Sequence, residues 1–128
     1  MKIKIKKRDI PFILFALFFL GAAVFHTIGA FTPSLRPDTA QNRHIIFIFI
    51  NALSFYFVLR RPFLAIPYFA LLTLQQIYSH GSHLLGVWQE QNQIDWIDVG
   101  VIILLPLIFV LVTRDVLKRR RREQEDGA

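Results

Sequence analysis

The chain contains no cysteine. Disulfides, thiolate metal sites and cysteine nucleophiles are therefore excluded. Methionine occurs once, against thirteen phenylalanines. That balance suits a lipid-facing surface better than a compact aqueous core. Acidic residues are few, nine against fifteen lysines and arginines, which leaves a net charge of +6. No His-Glu-x-x-His run occurs, so a zincin protease is excluded. There is no internal repeat, and no low-complexity tract beyond Arg119–Arg122. Amphipathic stripes are also scarce.

What the chain does have is apolar length. Just over half of its 128 residues are apolar, and they fall in long runs. Long runs with positive mean hydropathy are the signature of membrane helices. Four helices are predicted, at about residues 10–31, 39–59, 62–88 and 95–113. The first begins with Pro11 in its first turn, where a missing N–H costs nothing. Its apolar run is too long for a signal peptide, and no good cleavage site follows it. Thr32–Arg43 reads as a loop because of Pro33 and Pro37, with Asp38 or Thr39 capping the second helix. Arg60-Arg61-Pro62 reads as a tight turn. Pro67 and Pro106 are expected to kink the third and fourth helices, and Gly81 to loosen the third. Residues 119–128 read as a frayed, charged tail beyond a single transmembrane domain, residues 1–118.

Charge placement orients the chain. Lys2, Lys4, Lys6, Lys7 and Arg8 precede the first helix. Arg60 and Arg61 form the middle turn, and six basic residues follow the last helix, so thirteen of the fifteen lie in three places. Only Arg36 and Arg43 lie in the alternate loops. The positive-inside rule then predicts four spans with both termini cytoplasmic. Trp88 and Trp96 bracket the last loop like an interfacial aromatic belt. The fold class expected is all-α: an integral-membrane, antiparallel bundle of four transmembrane helices. Size, hydropathy and short loops resemble those of small four-span proteins of bacterial inner membranes, which implies a multi-pass location there. The basic tails fit anionic lipid headgroups, not nucleic acid, since no reading surface accompanies them. Protein partners or a homo-oligomer fit the same composition.

The polar chemistry concentrates in Tyr78-Ser79-His80-Gly81-Ser82-His83, within the third apolar run. Intramembrane histidines are a functional hypothesis by default. Threading puts all four histidines (His26, His44, His80 and His83) in the outer half of the membrane. Gln76, His80 and His83 share one helix face. His44 and Asn51 share another, and His26 lies on a small-residue face with Ala22, Ala23, Gly29 and Ala30. The expectation is an outward-facing polar pocket. His80 and His83 are its metal ligands, completed by Asp98 or a third histidine. His26, His44, Asn51, Gln76 and Tyr78 are its further ligand-binding residues. Haem between facing histidines, such as His26 with His80 or His83, and a quinone held by His, Tyr78 and Gln are the organic alternatives. Sparse glycine counts against haem. The competing expectation is a non-catalytic accessory or assembly subunit, whose polar residues tie its own helices together. In that reading Asp95 and Asp98 are helix N-terminal charges. Proton translocation needs titratable groups in the inner half, which is nearly bare. An enzyme lacks a recognisable nucleophile or acid–base pair.

Overall fold

The computed structural model describes residues 6–35 and 41–128. Among these the chain is all-helical, with four long helices: α1 (Ile10–Phe31), α2 (Gln41–Arg60), α3 (Ala65–Gln91) and α4 (Trp96–Asp126). Short 3-10 turns precede and follow α1, at Lys7–Asp9 and Pro33–Leu35. Lys2, Lys4, Arg36, Pro37 and the expected caps Asp38 and Thr39 lie outside the described residues.

Three helical stretches, Lys7–Phe31, Gln41–Arg60 and Trp96–Asp126, are long and apolar enough to cross a membrane. The third helix, α3, has the length, 27 residues. Its hydropathy is lowered by Thr73, Gln75, Gln76, Ser79, His80, Ser82 and His83, which crowd its middle. The residues that make α3 chemically interesting are thus the ones that weaken it as a span.

The chain divides after Arg60 into two compact units. The first is a hairpin of α1 on α2. Phe12, Ala16, Phe19 and Ala30 form the buried face of α1, and Val58 that of α2. The buried face of α2 is otherwise polar: His44, Asn51 and Ser54. Asn51 and Ser54 return their donors to carbonyls of their own helix, Phe47 and Ile50, at 2.7 and 2.8 Å. Gln41 Nε2 donates to the Ala30 carbonyl at 3.1 Å, across the loop end.

The second unit is a hairpin of α3 on α4. Its antiparallel register is marked along its length by Asp98 against His80 and His83, Thr73 against Leu105, and Arg61 against Asp115. Ala65 and Phe69 on α3, and Leu105, Ile108, Val112 and Val116 on α4, are the buried apolar residues of the two helices. Asn92 ends α3 in the left-handed region, φ 51°, with its N–H on the Trp88 carbonyl. Asparagine tolerates that backbone better than most residues.

Two local expectations, at Pro67 and in the tail, are corrected. α3 begins at Ala65, so Pro67 sits in its first turn and removes only an N–H that had no intrahelical partner. The helix also continues through Gly81. α4 continues through Pro106, where Thr73 Oγ1 donates to the adjoining Leu105 carbonyl at 3.4 Å. The tail is not frayed after Arg119: α4 runs to Asp126. Asp115 accounts for this. Its carboxylate takes Arg119 Nε at 2.7 Å, one turn on, and Arg61 Nη1 at 3.3 Å. An acid one turn N-terminal to its cation is the favourable order on a helix.

Candidate functional site

The site forms at the loop end of the α3/α4 hairpin. Asp95 is the N-cap of α4: its Oδ1 accepts the backbone N–H of Ile97 at 2.9 Å and of Asp98 at 3.2 Å. This fixes the first turn of α4. An acid three residues after the cap commonly reaches back to the cap. Asp98 instead turns towards α3, and it is only 4% exposed.

There it meets both histidines. Asp98 Oδ1 lies 2.5 Å from His80 Nδ1, and Oδ2 lies 2.6 Å from His83 Nδ1. His80 and His83 are three residues apart, on one face of α3, so one carboxylate bridges two imidazoles. With Asp98 ionised, each ring donates its Nδ1–H. That selects the Nδ1–H tautomer and leaves Nε2 as a lone pair, the arrangement by which carboxylates orient metal-binding histidines. A nitrogen of His83 and one oxygen each of Asp95 and Asp98 also lie within 4.8 Å of one another. Two carboxylates and a neutral imidazole carry the charge a divalent cation balances. Their N/O donors suit zinc, iron or manganese better than soft Cu(I).

The other histidines pair separately, on the first hairpin. His26 Nδ1 and His44 Nδ1 are 3.0 Å apart. One must donate and the other accept, so the two rings hold different tautomers. Phe47 stacks on His26, 5.0 Å between centroids at 18°. His44 is buried against Gly29, and its Nε2 has no hydrogen-bond partner. Through these facing nitrogens the two rings leave no room for a metal ion between them, since 3.0 Å is less than the roughly 4 Å that two metal–nitrogen bonds of about 2 Å would span in line.

The remaining expected ligands are placed elsewhere. Gln76 is buried, but its Nε2 is bonded to the neighbouring Gln75 Oε1 at 2.7 Å, not to a histidine. Asn51 is bonded within α2. Tyr78 is 78% exposed. It lies two residues from both Gln76 and His80, and two residues turn a helix by about 200°. So it points away from their face. The position of Asp98 in a first helical turn favours a capping role, yet the structure joins it to both histidines of α3. The i, i+3 histidines were the signal that could have found it. Searches against protein families, curated proteins and solved structures found no match.

Proposed function

We propose that this is a multi-pass membrane protein that binds a divalent transition-metal ion, zinc in the first instance, at the α3/α4 loop end. The observation that carries the reading is the buried Asp98 carboxylate held by both His80 and His83. His83, Asp95 and Asp98 supply donor atoms. His80 Nδ1 orients Asp98 from behind. His83 stays a neutral ligand: binding through Nδ1 moves the ring proton to Nε2, and the metal takes the place of the His83–Asp98 hydrogen bond. Asp95 keeps one oxygen on the α4 backbone and offers the other.

The membrane reading goes further than the three apolar helices. With α3 as a fourth span and both termini cytoplasmic, thirteen of the fifteen basic residues lie inside. The metal site then faces out, across a bacterial inner membrane. The polar middle of α3 is tolerable in that setting because His80 and His83 bond to Asp98 within their own hairpin.

A second reading has support from the same contacts. Both Asp98 oxygens already have partners. The triad then serves as an interhelical clamp in a non-catalytic subunit of a larger membrane complex. Elemental analysis separates the two. Protein purified in mild detergent is expected to carry about one metal ion per chain, lost in Asp98→Asn while the helical circular dichroism is kept. Metal-free wild type that fails to take up added zinc, with Asp98→Asn merely less stable, would decide for the clamp.

A further inference from the structure

Five of the six basic residues from Arg114 to Arg122 sort into two sets. Arg119 and Arg120 are engaged within the second hairpin. Arg119 Nε forms an ion pair with Asp115 Oδ2 at 2.7 Å, and the Arg120 guanidinium lies 4.5 Å from the centre of the Phe63 ring. Arg114, Lys118 and Arg121 stand on the opposite face, exposed and with no ion pair among the described residues. They are spaced i, i+4, i+7, which is one stripe on a helix.

The same stripe continues towards the middle of α4. Ile103, Leu107 and Val110 precede Arg114 at the same helical spacing and are 65%, 46% and 56% exposed. The buried residues Leu105, Ile108, Val112 and Val116 occupy the other side. One helix face thus passes directly from bare aliphatic side chains to unpaired cations. Eleven residues separate Ile103 from Arg114, about 16 Å at 1.5 Å each. That is close to one leaflet of a hydrocarbon core about 30 Å thick.

We propose that this stripe is a binding surface for an anionic phospholipid. Its acyl chain lies along Ile103, Leu107 and Val110. Its phosphate is held by Arg114, Lys118 and Arg121. The occupant follows from charge and depth together: a zwitterionic lipid matches the aliphatic part equally but brings no net charge to three unpaired cations. Glu125 is next on the stripe, one turn beyond Arg121 and further from the hydrocarbon, where it repels nothing in the leaflet. The surface involves no residue of the metal site.

Electron spin resonance of spin-labelled lipids around the full-length protein in phosphatidylcholine membranes tests this. The expected result is a larger motionally restricted fraction for labelled phosphatidylglycerol than for labelled phosphatidylcholine. The preference in association constant should be about five-fold or more, the size of one surface cation's attraction. It should be lost in Arg114→Gln/Lys118→Gln/Arg121→Gln and kept in Lys6→Gln/Lys7→Gln/Arg8→Gln, which removes equal charge elsewhere. Glutamine keeps helix propensity, and circular dichroism verifies the fold of each variant. No preference in the wild type, or equal loss in both triple variants, overturns the assignment.

Discussion

Gly29 shows how tightly the first hairpin is specified at single positions. A Cβ built there would stand 2.7 Å from His44 Cε1 and 2.8 Å from its Nδ1. His44 cannot retreat freely, because it is 5% exposed and bonded to His26. Gly29→Ala is therefore expected to destabilise the hairpin by about 1–3 kcal/mol, the usual range for overpacking. Gly21 has nothing within 4 Å of the same virtual atom. Gly21→Ala is expected to be neutral or to stabilise by up to about 1 kcal/mol through helix propensity. Thermal unfolding of both variants in one detergent checks the pair. Equal shifts would remove the packing argument. The small-residue face around His26 was legible in the sequence, since Gly29 and Ala30 recur one turn from it. That His44 fills the gap was not, because spacing fixes a face but not what the partner helix puts against it.

At the scale of the element, α4 differs most from its expectation. Its apolar pattern stops near Thr113, and the charge-rich remainder has no hydrophobic reason to be ordered. Asp115 supplies an electrostatic one, with Arg119 on its own helix and Arg61 at the start of the hairpin. Arg61 has a left-handed backbone, φ 51°, and its side chain is only 8% exposed. Removing the carboxylate takes one ion-pair partner from that buried guanidinium, at a cost of about 1–3 kcal/mol. Asp115→Asn is thus expected to lower stability, and to release amide protons of residues 117–126 to exchange while those of residues 98–112 stay protected. Unchanged exchange over 117–126 would mean that Asp115 does not order the end of α4. An isolated acid among arginines is easily taken as part of a solvated face, which is why the sequence alone concealed this role. The proline positions were visible in sequence. The effect of Pro67 was not, because it depends on where α3 starts. Pro67 is harmless in a first turn, and Pro106 is passed without a break.

For the whole molecule, hydropathy gave the helices and composition gave the membrane. Three helices meet the requirement for a span, and the fourth misses it through the polar residues in its middle. The four histidines were expected to share a depth. They occur as two pairs, His26 with His44 and His80 with His83. The sequence could give depth by counting residues, but not helix rotation, which decides contact. If α3 spans, a periplasmically active reporter fused within residues 92–94 is active, and the same reporter fused after Ala128 is inactive. If α3 lies on the membrane surface, the chain has three spans and the two ends fall on opposite sides. Activity of the fusion after Ala128 together with inactivity at residues 92–94 would overturn the proposed threading.

The central claim is that Asp98 and its histidines hold a metal ion, with His83 as a ligand and His80 as the residue that orients Asp98. Calorimetric titration of metal-stripped protein with zinc tests it most directly, across wild type, His83→Ala and His80→Ala. The account predicts one site per chain in the wild type and no measurable binding in His83→Ala. In His80→Ala the affinity should fall about 10–100-fold, the usual loss when a residue supporting a ligand is removed. Absence of zinc binding by the wild type, or equal affinity in all three proteins, would contradict it.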